Sequence, residues 1–190
     1  MLSRLYIFLA LTLSSYRVFS QKVIINGKEG DRALTWNDFK GRPDEQSSYG
    51  AYTYTFFKTQ TGNFTFKGDT VKWEKPIEYW VELGKDSWVK KDKRSDTLLQ
   101  HEEGHFKIGK LMVLELNVRM KNEIFLKNNY QLKLNGIIKE ISDRYRALEK
   151  QYDSETNHSK NRPAQWKWNQ YFDSELARWK GNQQPAENSR

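Results

Sequence analysis

The sequence contains no cysteine among its 190 residues. This absence excludes disulfide bonds, thiolate zinc sites, a cysteine nucleophile and the lipid-bearing cysteine of a bacterial lipoprotein. Histidine is scarce as well, with three in the whole chain, and the 11 glycines form no glycine-rich phosphate-binding loop. Any zinc site in this protein is therefore built without thiolate ligands.

Apolar residues are also sparse, at 37% of the chain, whereas 29% of the residues are charged. Seven Trp, ten Tyr and ten Phe nevertheless supply large side chains for a core, so the composition predicts one folded domain rather than a disordered chain. The net charge of +8 comes from basic residues interspersed with acidic ones. It fits either ordinary solubilising charge or attraction to anionic envelope polymers, and we expect no nucleic-acid partner.

The one long apolar run lies at the N-terminus, in MLSRLYIFLALTLSSYRVFS. Arg4, a short apolar segment and a small residue at Ser20 are typical of a signal peptide. The alternative, a membrane anchor, needs a longer run, and Arg17 interrupts this one. We expect a cleaved signal peptide at 1–20, one mature domain at 21–180 and a disordered tail at 181–190. The mature protein is then secreted or periplasmic, without stable membrane insertion.

The pattern of the mature chain changes near Lys93. Residues 22–92 form short alternating segments that end in Gly or Pro turns, as β-strands do. After an N-cap at Ser95 or Asp96, helical spacing of apolar residues predicts a long helix that ends at 128–129. A link at 134–136, a second helix, the polar loop DSETNHSKNRP and a third helix follow. The predicted fold class is α+β: a small antiparallel or mixed sheet packed on a long helix, followed by two further helices.

The motif HEEGH lies on the predicted long helix. His101 and His105 are one helical turn apart, so both imidazoles can bind one metal ion, and Glu102 can reach a water on that metal. Zinc in such a site lowers the pKa of its water toward about 7, and the glutamate accepts the proton while hydroxide attacks a carbonyl group. The alternative is that two incidental histidines lie on a partly exposed helix face.

A catalytic zinc site of this kind needs a third protein ligand. The extended motif HExxHxxGxxH would place a histidine where Leu111 stands, so that subclass is excluded. A glutamate on the following helix, Glu140 or Glu149, is one alternative, and His158 is the other. Because His158 is the one remaining histidine and lies among polar residues, we favour it as the third ligand. The pattern also allows an ordinary solvated histidine there.

Three segments resemble, in this order, a bacterial family of predicted secreted zinc-dependent proteases, catalogued mainly as a domain of unknown function: LTWNDFKG, LLQHEEGHF and YDSETNHSKNRPAQWKWNQYFDSEL. The resemblance covers residues 34–176. It implies a zincin-like domain in which a small sheet packs on the active-site helix and a Tyr-Asp-Thr-His loop returns to the metal. The matching positions are His101, Glu102, His105, Tyr152, Asp153, Thr156 and His158. The family loop usually has glycine after its histidine, where this chain has Ser159.

These observations predict a secreted metalloprotease with one catalytic Zn²⁺. The predicted metal ligands are His101, His105 and His158, with Glu102 as general base. Tyr152 is a candidate donor to the developing oxyanion, or else it packs at a helix end. We expect a monomer that acts on a peptide or protein substrate associated with the cell envelope.

Other interpretations remain open for several residues and for the function itself. Asp153 or Glu155 could orient a ligand histidine, or be a solvated acid. Trp73, Trp80 and Trp88 could form a sugar-stacking platform, although their strand spacing suits a core as well. The alternative functions are a non-catalytic envelope or adhesion module with structural zinc or none, and a cell-wall peptide amidase.

Overall fold

The computed structural model describes residues 21–181, with side chains described as far as Trp179. The predicted signal peptide at 1–20 lies outside these residues, and so does the predicted tail apart from Gly181. Within the described range, no helix is long and apolar enough to span a membrane.

The N-terminal half consists of short strands, as the sequence predicts. In chain order they are β1 (Val23–Ile25), β2 (Lys28–Glu29), β3 (Ala51–Tyr52), β4 (Thr55–Gln60), β5 (Phe64–Lys67), β6 (Thr70–Trp73), β7 (Glu78–Leu83) and β8 (Trp88–Val89). Four of them form a mixed sheet in the order β2-β1-β7-β4, in which β1 runs parallel to β7 and the other pairs are antiparallel. Strands β5 and β6 form a separate hairpin, and β3 pairs with β8.

Three helices follow: α1 (Asp96–Asn122), α2 (Tyr130–Thr156) and α3 (Arg162–Gly181). The sheet packs on α1 through β4 and β7, and both later helices also contact α1. Helix α1 is therefore buried on almost every side between residues 101 and 116, rather than along one stripe. Ser95 caps it as predicted, since the Ser95 hydroxyl accepts a hydrogen bond from the Leu98 amide. The predicted α+β class is confirmed: a mixed sheet packs against a long helix, and two further helices follow.

Two glycines allow the close approach of α1 to its neighbours. A Cβ atom at Gly104 would lie 2.1 Å from the Tyr152 hydroxyl on α2, and one at Gly109 would lie 2.3 Å from Thr55 on β4. Glycine inside a helix costs about 1 kcal/mol relative to alanine. In this protein the two glycines allow α1, which carries the HEEGH motif, to contact α2 on one side and β4 on another.

The predicted boundary between the first two helices is wrong. Helix α1 ends at Asn122 rather than at 128–129, and α2 already begins at Tyr130 and continues through Gly136. The Val71 amide donates to the Phe125 carbonyl at 2.8 Å, and Thr70 forms a β-bridge with Leu126. Because these main-chain groups pair with β6, the segment cannot continue the helix, and its Phe125 side chain is buried.

The predicted polar loop before α3 is also shorter than expected. Helix α2 extends to Thr156, so Tyr152, Asp153 and Thr156 lie on a helix rather than in a loop. The link to α3 comprises residues 157–161. Its first three residues are left-handed and none is glycine: φ is 46° at Asn157, 49° at His158 and 76° at Ser159.

Candidate metal centre

His101 and His105 point to the same place from α1. Their ring centroids are 4.9 Å apart, as expected for residues one helical turn apart. Both Nε2 atoms face one carboxylate oxygen on α2: Asp153 Oδ1 lies 3.2 Å from that of His101 and 3.1 Å from that of His105. The side chain of His101 is almost fully buried and that of His105 is 16% exposed, so this pair lies inside the molecule.

His158 reaches the same oxygen from the link between α2 and α3. Its Nδ1 is 3.4 Å from Asp153 Oδ1, and its ring centroid is 6.2 Å from that of His101. The outer side of the His158 ring packs against Tyr49, with centroids 5.1 Å apart. The fold thus brings all three histidines of the chain together. One donor atom from each of His101, Asp153 and His158 lies within 4.8 Å of the others, so this group could hold a metal ion.

The donor set has the chemistry of a divalent-cation site. Asp153 Oδ1 is buried, yet among the described residues it has no hydrogen-bond partner with suitable geometry. A buried carboxylate oxygen without such a partner is costly unless a cation compensates it. Burial raises the pKa of Asp153, but the imidazoles of His101 and His105 lower it by more, so the pKa lies below its ordinary value. Imidazole nitrogen and ionised carboxylate are both common zinc ligands.

The second nitrogen of His101 has its own partners on the later helices. Gln165 on α3 is buried, and its Oε1 lies 3.3 Å from His101 Nδ1. Thr156 Oγ1 is 3.4 Å from the same nitrogen and donates to the Tyr152 carbonyl. With its proton on Nδ1, His101 would donate to these oxygens and its Nε2 lone pair would be available to a metal ion. Outer partners of this kind fix the ring orientation of a metal-binding histidine.

Glu102 is buried beside the donor group, with 4% of its surface exposed. Thr53, in the turn between β3 and β4, donates its hydroxyl to Glu102 Oε2 at 2.6 Å. Burial raises the pKa of Glu102, and the nearby charge of His105 and the Thr53 hydrogen bond oppose this only in part. A carboxylate with a raised pKa is a better proton acceptor near neutral pH than an exposed one.

Tyr152 contacts His101 rather than facing the open side of the site. Its side chain is completely buried, and its ring stacks on that of His101 with centroids 4.8 Å apart. The hydroxyl donates to the His101 carbonyl at 3.0 Å and accepts from Gln165 Nε2 at 2.8 Å. Both hydrogen bonds of this hydroxyl go to protein groups, and the predicted oxyanion role stays a prediction. Through these contacts Tyr152 joins helices α1, α2 and α3 at the site.

The other acidic residues considered from the sequence differ in how close they lie to the donor group. Glu149 lies one turn before Asp153, and burial raises its pKa while the adjacent His105 lowers it. Glu140 is exposed and thirteen residues before Asp153, which is roughly 20 Å along a helix, so it cannot reach the donor group. Glu155 accepts a hydrogen bond from the Trp168 indole at 2.8 Å and therefore binds α3 rather than a ligand histidine.

The three tryptophans of the predicted sugar platform pack separately. Trp73 on β6 contacts Phe64 and Phe125 edge-on, Trp80 on β7 lies under the Lys22 ammonium, and Trp88 on β8 is buried. Because the three rings have different neighbours, they have packing roles, which is the alternative that their strand spacing also fits.

Thr53 and Gln165 were not identified from the sequence. Gln165 is three residues before Trp168 and seven before Phe172, so it continues the buried stripe of α3 as a polar member. That position is a usable signal for a buried hydrogen-bonding role. Thr53 gives no comparable signal, because only the fold brings it to Glu102 across 49 positions of sequence.

Comparison with known families places the site within one matched region. Residues 80–159 match the model of a family described as "Bacterial protein of unknown function (DUF922)". The match includes every donor of the site and ends at Ser159, and it is narrower than the resemblance over 34–176. It agrees with the part of that resemblance that concerns a bacterial domain of unknown function. Comparison with curated proteins and with solved structures gave no match.

Proposed function

We propose that the protein is a secreted zinc-dependent metallohydrolase that cleaves peptide bonds. The observation that carries this proposal is the convergence of three histidines and one carboxylate on a single point, next to the buried Glu102. A bound zinc ion would acidify a water molecule and polarise a substrate carbonyl group. His101 and His105 would hold the metal; Asp153 lies next to both, and Asp153 and His158 form a possible metal-binding group with His101.

Glu102 supplies the proton acceptor for this chemistry. Its carboxylate is held by Thr53 through Oε2, which fixes the side chain while Oε1 is not used by that hydrogen bond. Burial raises the pKa of Glu102, and a higher pKa makes its carboxylate a stronger proton acceptor. A site that served only to stabilise the fold would gain nothing from a buried carboxylate in this position.

The rim of the site offers contact area for a peptide. Tyr49 packs on His158, and Tyr52 and Tyr54 continue from it with centroid separations of 6.5 and 4.6 Å. All three side chains are at least 40% exposed. Exposed aromatic rings next to a hydrolytic centre are suited to hold side chains of an extended substrate.

The proposed test combines metal content with hydrolysis. The purified protein is expected to bind one zinc ion, measured by plasma mass spectrometry, and to cleave members of a peptide library that includes cell-wall peptides. Glu102→Gln should keep the zinc and lose about 10²- to 10⁴-fold in kcat, the usual contribution of a general base. Glu103→Gln, a half-buried neighbour on the same helix, is the matched control. Undiminished hydrolysis in Glu102→Gln would contradict the role of Glu102.

A second candidate is a non-catalytic envelope module with a structural metal. One observation favours it: four potential donors surround one point, and four protein ligands close a zinc site. A protein that binds zinc but cleaves no peptide in the library would support this candidate instead. Cleavage confined to cell-wall peptides would identify an amidase or peptidase of the envelope.

We also propose that the protein acts outside the cytoplasm as a monomer, with a peptide substrate and no nucleic-acid partner. The support is the sequence of residues 1–20 and the interspersed charge. N-terminal sequencing of the exported protein is expected to begin at Gln21.

A further inference from the structure

The candidate site has one donor more than a hydrolytic zinc site uses. His101, His105, Asp153 and His158 all face the same point. A catalytic zinc ion takes three protein ligands and keeps one position for water, whereas four protein ligands produce a closed, structural site. If Glu102 acts on a water molecule, one of the four donors must therefore stay off the metal.

Asp153, like the two motif histidines, lies on a helix that packs at the site. It lies inside α2, one residue after Tyr152, whose hydroxyl is bonded to the main chain of His101 itself. Its Oδ1 is 3.2 and 3.1 Å from the two Nε2 atoms of the motif. The oxygen is buried and without a hydrogen-bond partner of suitable geometry in the described part of the chain. This is the arrangement expected of an oxygen that serves a cation.

His158 differs from Asp153 in the backbone that carries it. It lies outside the helices, between two other left-handed residues, Asn157 and Ser159. Its side chain is 43% exposed, compared with 33% for Asp153, 16% for His105 and 3% for His101. Its distance to the shared oxygen, 3.4 Å, is the longest of the three. Its ring also contacts the exposed Tyr49, at the rim where a substrate would enter.

We propose that Asp153, and not His158, completes the metal set with His101 and His105. His158 then lies on the open side of the site, where its ring can donate a hydrogen bond to the bound substrate. The first half concerns metal binding alone, and the second half rests on the proposed peptidase function. Two imidazoles and one carboxylate are a ligand set that catalytic zinc accepts, and the fourth position is left for water.

The first test is zinc affinity, measured by competition with a chromophoric chelator. Asp153→Ala should lower the affinity by more than about 100-fold, the largest loss typical of an outer partner of a ligand. His158→Ala should lower it by less than about 10-fold, the smallest such loss. Asp143→Asn is the matched control, because Asp143 is an ion-paired acid on the same helix, ten residues away. If Asp153→Ala does not fold, Asp153→Asn keeps the shape of the side chain without its charge.

Cobalt(II) in place of zinc gives a second, independent readout. Its visible absorption depends on the ligands, so the spectrum should change in Asp153→Asn and stay unchanged in His158→Ala. Zinc loss above about 10-fold in His158→Ala, or retention of zinc affinity in Asp153→Ala, would overturn the assignment.

The catalytic half is tested by the kinetics of zinc-loaded His158→Ala. Loss of one hydrogen bond to the developing oxyanion should lower kcat by about 10²-fold with a much smaller change in KM. An unchanged kcat would overturn the substrate role of His158. If the parent protein cleaves no peptide, the proposed function fails, while the affinity and cobalt measurements still decide whether Asp153 is a ligand.

Discussion

The donors of the site come from two kinds of backbone, packed helices and a left-handed link. His101, His105 and Asp153 lie on helices that pack against each other through the Tyr152 hydroxyl and the glycine at 104. His158 lies on a link whose residues 157–159 all have positive φ. The side chains of the helical donors are 3% (His101), 16% (His105) and 33% (Asp153) exposed, and that of His158 is 43% exposed.

The contrast indicates which part of the site sets the geometry. Groups on packed helices are held to within a few tenths of an ångström by many contacts, and this suits metal ligands. A side chain on an exposed link can move when a substrate arrives, and this suits a group that binds the substrate. Changes to the packed helices should therefore alter both the free energy of unfolding and the zinc affinity. Changes to the link should alter the free energy of unfolding and leave the zinc affinity the same.

Gly104→Ala tests the packed region and should have the largest effect. Its Cβ would lie 2.1 Å from the Tyr152 hydroxyl, so α1 and α2 must move apart. We expect a loss of about 3 kcal/mol in the free energy of unfolding, measured by urea denaturation, together with weaker zinc binding. Gly136→Ala is the control, because nothing lies within 4 Å of its Cβ position on α2. The control should gain roughly 0.5–1 kcal/mol in stability. Equal effects in both variants would contradict the tight contact.

Tyr152→Phe distinguishes a positioning role from the oxyanion role predicted from the sequence. Removing the hydroxyl leaves the His101 carbonyl and the Gln165 amide without their buried partner. We expect a loss of about 2 kcal/mol in the free energy of unfolding and a modest change in kcat. An oxyanion donor would give the reverse pattern, with stability unchanged and kcat reduced by about 10²- to 10³-fold. Tyr145→Phe, whose hydroxyl donates to Glu115 in a less buried setting, is the control.

The fold class was predictable from the sequence because strand-like segments precede helix-like ones, and because Ser95 is a good N-cap. The end of α1 was not predictable, since residues 123–129 have acceptable helix propensity and leave the helix where residues 125–127 pair with the main chain of residues 69–71. The two glycines of the HEEGHFKIG segment, Gly104 and Gly109, are unusual inside a helix. Their tolerance inside a helix is explained by contacts with Tyr152 and Thr55, which no local pattern contains.

Two parts of the candidate site could be predicted from the sequence: the HEEGH motif and the approach of His158 to it. The three histidines do meet, but the residue at the centre of the meeting is Asp153. Its importance was underestimated because DSETNHSKNRP was predicted to be a loop, where an acid is usually solvated. On a continuous α2 the same acid is one residue past Tyr152 and directed at α1. The error in the helix boundary thus explains why Asp153 is interpreted from the sequence as a solvated acid, while the predicted ligand set itself stays a prediction.

Ser159→Gly tests the link and should have the smallest effect, with the opposite sign. Ser159 has φ = 76°, in a region that costs non-glycine residues roughly 1–2 kcal/mol. Glycine removes this cost but is more flexible in the unfolded chain, so we expect a net gain of about 0.5 kcal/mol in the free energy of unfolding. Asn157→Gly should gain less, because asparagine tolerates the left-handed region. If the link positions a substrate-binding group and no ligand, zinc affinity stays the same in Ser159→Gly while stability rises. A parallel change in zinc affinity would mean that the link and the packed helices hold the metal jointly.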